Sequence, residues 1–159
     1  MTEPAQTYTL LVIEDDPAYR DNIEVILRME GFHVRTASSG TAALALLQDE
    51  VPDLILCDIM MPEMDGHTFF ELLKQDELLA AVPFIFVTAL GGRDDVRKGM
   101  AAGVDDYLTK PFSKEELVSA VCGRLSRVKA LRQDASRTSL KQDAEWLRNL
   151  ITKREIEVL

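Results

Sequence analysis

Short apolar runs alternate with amphipathic helical patterns over residues 8 to 112, which limits the chain to a small number of α/β folds. Alternation of this kind is typical of stacked βαβ units that build a parallel sheet. Several of the runs are continuously apolar, as expected of strands that are covered on both faces. The predicted strands are Tyr8 to Ile13, His33 to Ala37, Leu54 to Cys57, Phe84 to Val87 and Asp105 to Leu108.

The segments that connect these strands predict helices with definite ends. Asp16 is the expected N-cap before Pro17 at the first helical position, and Gly31 ends this helix. Ser113 and Glu116 form a capping box at the start of the last helix. Right-handed crossovers would place the helices on both faces of one sheet. Further helices are predicted over Gly40 to Gln48, Gly66 to Lys74 and Arg93 to Ala102.

Polar side chains stand at the ends of four predicted strands. Glu14 and Asp15 follow the first strand, Asp58 the third, Thr88 the fourth and Lys110 the fifth. In an open parallel sheet, functional groups gather in the crevice beyond the carboxyl ends of the strands. We therefore expect three carboxylates, one hydroxyl and one ammonium group to face one another.

The three carboxylates predict a divalent cation site. Crowded carboxylates repel one another unless a cation or a shared proton relieves the repulsion. Glu14, Asp15 and Asp58 offer the hard oxygen ligands that Mg²⁺ accepts, together with water and a phosphate. A bound cation would also let an anionic phosphate donor approach.

Asp58 is the candidate nucleophile, because carboxylates can attack phosphoryl groups and form an aspartyl-phosphate. Lys110 suits an ion pair to one phosphoryl oxygen, and the Thr88 hydroxyl suits a hydrogen bond to another. Taken singly, each residue has an ordinary structural explanation, such as a surface lysine or a strand-end threonine. Their occurrence in chain order at successive strand ends favours the shared site.

Four segments resemble the signatures of the receiver domain of bacterial two-component response regulators: LLVIEDDP, DLILCDIMMPEMDG, FIFVTA and GVDDYLTKPF. The resemblance covers about residues 8 to 125. It implies an α/β fold with a doubly wound five-stranded parallel sheet of the flavodoxin type, in the order 2-1-3-4-5 and with helices on both faces. A C-terminal helical extension would follow the domain.

The resemblance also implies roles for individual residues. Asp58 would accept phosphate from a histidine kinase or a phosphotransfer protein. Asp15, Asp58 and the backbone carbonyl of Met60 would ligate Mg²⁺, and Glu14 would act through a water molecule of the metal. The chain would catalyse its own phosphorylation and slow dephosphorylation, and would be a signalling switch rather than an enzyme.

Further implied roles belong to the fourth and fifth strands. Lys110 would pair with the phosphate beside a cis peptide bond to Pro111, and Thr88 and Ala89 would contact the phosphate. Thr88 and Tyr107 would form the switch, in which the tyrosine ring turns inward. The alternative for Tyr107 is an ordinary half-buried strand tyrosine.

The loop after the fourth strand bears on the lifetime of the phosphorylated state. Gly91 and Gly92 would give this loop unusual conformational freedom. Met60 and Leu90 would flank the pocket, and their bulk predicts slow entry of hydrolytic water and therefore a long-lived phosphoryl group.

Charge and hydropathy restrict the partners of the chain. Residues 1 to 112 carry 8 basic and 20 acidic side chains, a balance of −12, whereas residues 113 to 159 carry 10 and 7, a balance of +3. The first part is therefore not expected to bind nucleic acid. The start MTEPAQTY lacks a signal-peptide pattern and no run of eighteen apolar residues occurs, which predicts a cytoplasmic protein without a membrane span.

The cysteines and histidines are not expected to carry chemistry. Cys57 and Cys122 are too few for a disulfide framework and show no metal-ligand spacing with His33 or His67. Each cysteine is interpreted as a small buried apolar residue.

The expected organisation is an N-terminal tail over 1–7, a receiver domain over 8–125, a helical linker or coiled coil over 126–150 and a further segment over 151–159. The end of the chain, LITKREIEVL, resembles the start of a LuxR/NarL-type helix-turn-helix output domain, with Thr152 and Glu155 as a capping box. DNA would be bound only through a domain that is absent from this chain. A homodimer through the predicted fourth and fifth helices is also expected.

Three alternatives compete with the regulator. A phosphatase of the haloacid dehalogenase type also uses an Asp nucleophile and Mg²⁺, but places a second Asp where this chain has Met60. A nucleotide or flavin site needs a phosphate-binding loop after the first strand, where this chain has carboxylates. The third is an interaction module that keeps only the fold and is not phosphorylated, but the intact acceptor, acidic pair, hydroxyl and lysine speak against it. If the chain is instead a stand-alone receiver, it would act through protein–protein interaction.

Overall fold

A computed structural model of the chain describes residues 7–89 and 106–126. Residues 7–89 and 106–125 belong to one compact unit. The predicted helix Arg93 to Ala102, the Leu90 to Gly92 loop, the linker after Ser126 and the tails over 1–6 and 151–159 lie outside the described residues. The domain boundaries and the expected homodimer stay predictions.

The described strands form one five-stranded parallel sheet in the order β2-β1-β3-β4-β5, which confirms the predicted doubly wound, flavodoxin-like fold. Parallel neighbours need crossover connections, and helices supply them here. The strands are β1 (Thr9–Ile13), β2 (His33–Ala37), β3 (Leu54–Asp58), β4 (Phe84–Ala89) and β5 (Asp106–Lys110).

Three strands extend beyond the apolar runs that predicted them. Asp58 pairs with Val87, Thr88 with Thr109, and Ala89 with Lys110. Hydropathy marks only the part of a strand that is buried on both faces, whereas backbone pairing continues to the polar edge. The candidate residues Asp58, Thr88 and Lys110 therefore lie on the sheet itself and not in loops after it.

Five helices are described, and four of them were predicted. Asp16 caps the first, its carboxylate accepting from the Ala18 N–H at 2.9 Å. The helix that was not predicted is a single turn capped by Asp76, which accepts from the N–H groups of Leu78 and Leu79. The helices are α1 (Pro17–Met29), α2 (Gly40–Asp49), α3 (Gly66–Leu73), α4 (Glu77–Ala80) and α5 (residues 114–126).

Two helix ends lie where the sequence predicts them. Gly31 has φ of +96° directly after α1, a backbone conformation that favours glycine. The Glu116 N–H donates to Ser113 Oγ at 3.0 Å, and the Ser113 N–H donates to Glu116 Oε1 at 3.4 Å. The predicted capping box at the start of α5 is therefore confirmed.

The core lies in two layers, one on each face of the sheet. Alternate residues of β1 enter opposite layers, Leu11 and Ile13 on the side of α2 and α3, and Leu10 and Val12 on the side of α1 and α5. Burying such a side chain contributes about 1.5–3 kcal/mol. Both layers together hold the carboxyl edge of the sheet in place.

None of the helices in the described ranges is long and apolar enough to span a bilayer.

One interpretation of the cysteines is wrong. Cys57 is fully buried in β3 as expected, but Cys122 is exposed on α5. Cys122 follows Val121, which is the core-facing residue of that turn, and therefore points away from the sheet.

Candidate functional site

An acidic cluster lies at the carboxyl edge of β1 and β3, two neighbouring strands. Carboxylate oxygens of Glu14, Asp15 and Asp58 lie within 4.8 Å of one another. Glu14 and Asp58 are only 1% and 4% exposed, and Asp15 is less buried. The predicted gathering of three carboxylates is therefore present in the structure.

The turn after Asp58 is held against the start of α3. A Cβ atom on Gly66 would come within 2.6 Å of the Asp58 carbonyl oxygen and 2.9 Å of the Ile59 Cα. The Gly66 N–H donates to the Ile59 carbonyl at 2.8 Å. The Met60 N–H donates to Asp58 Oδ1 at 3.2 Å, which orients the carboxylate, and the Met60 side chain is 66% exposed beside it.

Lys110 brings a positive charge to the cluster from β5. Its Nζ lies 2.6 Å from Glu14 Oε1 and 3.4 Å from Asp58 Oδ2. The contact with Glu14 is an ion pair without good hydrogen-bond alignment, whereas Nζ donates a hydrogen bond to Asp58. The next peptide bond, Lys110–Pro111, is cis.

The surroundings of Glu14 and Lys110 change the pKa of both side chains. Burial, and next the hydrogen bond with Asp58, raise the pKa of Glu14 from 4.5 to about 7, although Lys110 and the Asp16 N–H oppose the shift. Burial alone would lower the pKa of Lys110, but its contacts with Glu14 and Asp58 outweigh burial and raise that pKa. In the part of the chain that the structure describes, two buried carboxylates thus share the Lys110 ammonium group.

This donor set fits Mg²⁺. The ion takes oxygen ligands and usually retains several waters, so it needs only one or two protein carboxylates. The three carboxylates of the cluster can carry more negative charge than the Lys110 ammonium group balances. A divalent cation beside Asp15 and Asp58 would correct that balance.

Thr88 supplies a hydroxyl group without a partner. The residue is 1% exposed, and within the described part of the chain its Oγ1 makes no hydrogen bond. It follows Val87, which pairs with Asp58 across β3 and β4. A buried hydroxyl without a partner costs about 1–3 kcal/mol, so this one is suited to an incoming acceptor atom. Ala89, the next residue, is exposed.

Tyr107 is half-buried on β5 and pairs with Phe86 in the sheet, with 5.8 Å between the two ring centroids. Phe86 also contacts Phe84, Phe70 and His67 by ring edges or faces. An aromatic cluster therefore connects Tyr107 with α3. The sequence did not predict this cluster, because each ring alone is an ordinary core residue.

Two contacts to the acidic cluster were also missed. Arg20 Nη1 donates to the Glu14 carbonyl oxygen at 2.9 Å, and the Tyr19 ring lies under Lys110 Nζ, 4.3 Å from the ring centroid. Both residues lie in the first turns of α1. The only signal in the sequence was their position directly after the acidic pair.

The sequence is similar to a known protein family and to individual regulators. A family model described as the response regulator receiver domain matches residues 10–122. The DNA-binding dual master transcriptional regulator RpaA of Synechocystis sp. is 40% identical over 131 residues, 82% of this chain and 54% of that protein. The phosphate regulon transcriptional regulatory protein PhoB of Pseudomonas aeruginosa is 40% identical over 119 residues, 75% of this chain and 52% of that protein.

Solved structures are also similar to this chain. A crystal structure of a response regulator from Chloroflexus aurantiacus is 36% identical, has a TM-score of 0.73, and covers 76% of this chain and 99% of that one. This chain spans about half the length of the curated transcriptional regulators named above.

The sheet order and the acidic cluster at its carboxyl edge define a receiver domain of two-component signalling. The chain belongs to the response regulator receiver domain family, as the match over residues 10–122 shows. Receiver domains of this family are signalling switches that bind Mg²⁺ at an acidic pocket. Response regulators receive their signal from histidine kinases, and many act on DNA through separate output domains.

Proposed function

We propose that this chain is a phosphorylation-controlled switch in which Asp58 accepts a phosphoryl group from a histidine kinase or a phosphotransfer protein. The observation that carries the proposal is the environment of the Asp58 carboxylate. It is 4% exposed, accepts hydrogen bonds from Met60 N–H and Lys110 Nζ, and lies within the acidic cluster. These contacts orient the carboxylate and offset part of its charge.

In the transfer, an Asp58 carboxylate oxygen attacks phosphorus while the bond from phosphorus to the donor nitrogen breaks, and the donor imidazole takes up a proton. Asp15, Asp58 and the Met60 carbonyl would hold Mg²⁺, with Glu14 acting through one of its waters. When bound, the ion supplies charge neutralisation for the phosphoryl oxygens. The chain's own contribution is to position groups, as is usual for phosphoryl transfer.

Lys110 and Thr88 would then hold two phosphoryl oxygens. Lys110 Nζ already lies 3.4 Å from Asp58 Oδ2, and can therefore reach a group attached to that carboxylate. The unpartnered Thr88 hydroxyl would gain an acceptor, and Ala89 would contact the phosphate beside it. The buried, unsatisfied hydroxyl supports a movement of β4 residues towards the phosphoryl group.

The movement of Thr88 would be transmitted to Tyr107, whose ring would turn inward. The half-buried ring, its contact with Phe86 and the pairing of Thr88 with Thr109 support this coupling. The consequence would be a homodimer through the helix predicted over Arg93 to Ala102 and the helix that begins after Ser113. In a longer, cytoplasmic protein, a DNA-binding domain after this chain would carry the output. RpaA is named a DNA-binding transcriptional regulator and PhoB a transcriptional regulatory protein, which supports this proposal.

The competing phosphatase is not favoured. Its mechanism needs an acid–base carboxyl two positions after the nucleophile, and Met60 occupies that position with an apolar, exposed side chain. Asp58 would therefore release its phosphoryl group slowly, because no side chain there activates water.

The experiment that tests the proposal is intact-protein mass spectrometry after incubation with acetyl phosphate, with and without Mg²⁺. Asp58→Asn removes the proposed acceptor, and Asp49→Asn, at a largely exposed carboxylate, is the matched control. We expect a single Mg²⁺-dependent phosphoryl adduct in the wild type and the control, and none in Asp58→Asn. An adduct that persists in Asp58→Asn would assign the acceptor to another residue.

A further inference from the structure

The ring of Tyr19 lies against the ammonium group of Lys110. Lys110 Nζ is 4.3 Å from the ring centroid, and its side chain is only 11% exposed. A cation within about 6 Å of an aromatic face is attracted by the ring quadrupole, and more strongly where water is excluded. This contact joins α1 to the end of β5.

The ring is fixed by its surroundings. Tyr19 lies in the first turn of α1, which Asp16 caps and Pro17 begins. Its ring also packs on Phe112, two residues after Lys110, with 5.9 Å between the centroids. A hollow of about 340 Å³ adjoins this pair, lined by Ala18, Tyr19, Asn22, Pro111 and Phe112. Loss of the ring would enlarge that hollow next to the lysine.

Among the described residues, the Lys110 ammonium group has three charged or aromatic neighbours. Glu14 and Asp58 carboxylates approach it at 2.6 and 3.4 Å, and the Tyr19 ring occupies a third direction. A lysine side chain has four flexible carbons and is strongly hydrated. If water filled the side of the ammonium group that the Tyr19 ring covers, the group could move to other positions. The ring excludes that water, and the attraction of its face for the cation limits the ammonium group to the neighbourhood of Asp58.

We propose that Tyr19 is a positioning residue for phosphorylation, which holds Lys110 where it meets the incoming phosphoryl oxygen. The proposal rests on the proposed function, in which Lys110 pairs with that oxygen. With acetyl phosphate as donor, an Asp58 oxygen forms the new bond to phosphorus, the bond from phosphorus to the acetyl oxygen breaks, and acetate leaves with the electron pair. Tyr19 takes no part in these bond changes and acts only through Lys110.

The aromatic face and not the hydroxyl group is the active part of Tyr19. Tyr19→Phe keeps the face, whereas Tyr19→Leu and Tyr19→Met fill similar space without it. Asn22→Ala alters the same hollow without changing a ring, and is the matched control.

The first measurement uses the whole chain and follows adduct formation against acetyl phosphate concentration at saturating Mg²⁺. We expect the rate constant of Tyr19→Leu and Tyr19→Met to fall by about three- to tenfold, and that of Tyr19→Phe to stay within about twofold of the wild type. Binding of beryllium trifluoride, a phosphoryl mimic, should weaken in the same order when it is followed by fluorine NMR. Asn22→Ala should match the wild type in both assays.

A second measurement reports the geometry directly. Ring currents shift protons above an aromatic face upfield, so the Lys110 ε-methylene signals should be shifted in the wild type and Tyr19→Phe and normal in Tyr19→Leu. Thermal unfolding of each variant separates loss of positioning from loss of fold, and Tyr19→Met replaces Tyr19→Leu if the latter does not fold.

Two results would overturn the inference: wild-type rates in both ringless variants, or a loss in Tyr19→Phe equal to that in Tyr19→Leu. Failure of the proposed function looks different. In that case the wild type itself would form no Mg²⁺-dependent adduct at Asp58.

Discussion

At the scale of single residues, the site contains buried charged groups that do not add to the stability of the fold. Glu14 and Asp58 are buried, and within the described ranges Lys110 is the cation that pairs with both of them. Removing charged groups from water is costly, and one ion pair seldom recovers the cost. Burial raises the pKa of Glu14, and among the described residues the buried Thr88 hydroxyl of the same site has no hydrogen-bond partner.

The pKa of Glu14 predicts a pH dependence of the metal-free protein. Its pKa is 4.5 ordinarily and about 7 in the folded chain, so the unfolded state loses this proton first as pH rises. The free energy of unfolding should therefore fall between about pH 4.5 and 7, by up to about 3 kcal/mol, because Glu14 is almost fully buried. Urea denaturation in EDTA at pH 5 and pH 7.5 measures the difference.

Two controls accompany this measurement. Glu14→Gln removes the titrating group, and saturating Mg²⁺ favours its ionised form, so each should flatten the pH dependence. An equal fall in stability in Glu14→Gln would assign the effect to another group.

The Thr88 hydroxyl predicts opposite effects on stability and on switching. Thr88→Val keeps the shape of the side chain and removes the unpartnered hydroxyl, so the free energy of unfolding should rise by about 1 kcal/mol. The same variant should show a smaller spectral change at Tyr107 on addition of beryllium trifluoride, when both proteins are compared by NMR. A stability lower than that of the wild type would indicate that the hydroxyl is bonded in the folded protein.

The sequence predicted those residues of the site whose type is unusual for their position. Carboxylates, a hydroxyl and a lysine at successive strand ends indicate a common edge, because parallel topology brings those ends together. Tyr19 escaped prediction because an aromatic residue in the first turn of a helix is unremarkable. Its contact with Lys110 depends on how α1 packs beside β5, which no local pattern encodes.

At the scale of secondary-structure elements, the position of Asp58 depends on the close approach of α3 to the end of β3. Gly66 permits that approach, since its Cα lies against the Asp58 and Ile59 backbone.

Helices with capping residues and apolar stripes were predicted from sequence. The single turn α4 was missed, because four residues are too few to show a helical period and none of them is buried.

Gly66 offers a test of this approach. Gly66→Ala would place a Cβ atom 2.6 Å from a backbone oxygen that cannot move freely, so the free energy of unfolding should fall by about 1–3 kcal/mol. The displaced turn should also weaken Mg²⁺ binding, measured by titration calorimetry.

The matched control is Gly123 in α5, where a Cβ atom would meet nothing within 4 Å. Gly123→Ala should raise the free energy of unfolding by up to about 1 kcal/mol, because alanine favours helix, and should leave Mg²⁺ affinity unchanged. If Gly66→Ala behaved like Gly123→Ala, the close packing of α3 would have no bearing on the site.

At the scale of the whole molecule, the two apolar layers separate the site from most of the protein surface. Neither layer has to change for a phosphoryl group to bind, since the reacting groups all lie at one edge of the sheet. A signal must therefore leave through residues that belong to both the edge and a face. The residues of β5 meet this condition, because Lys110 lies at the carboxyl end of the strand and Tyr107, three residues earlier, packs on the layer that contains Phe86.

Phosphorylation is expected to increase self-association against an electrostatic barrier. The chain has a net charge of −9, so two copies repel each other at low ionic strength. A face rearranged by Thr88 and Tyr107 would have to supply enough apolar contact to overcome this repulsion. We expect beryllium trifluoride with Mg²⁺ to move the mass measured by light scattering from that of one chain towards that of two, and added salt to strengthen the shift.

Asp58→Asn is the control for this association, because it should keep one mass with and without the mimic. A single unchanging mass in the wild type, under conditions where fluorine NMR shows the mimic bound, would exclude dimerisation as the output of this chain. The signal would then have to be read by a different protein at the β5 face, and Tyr107→Ala would be expected to weaken that interaction without affecting the uptake of phosphate at Asp58.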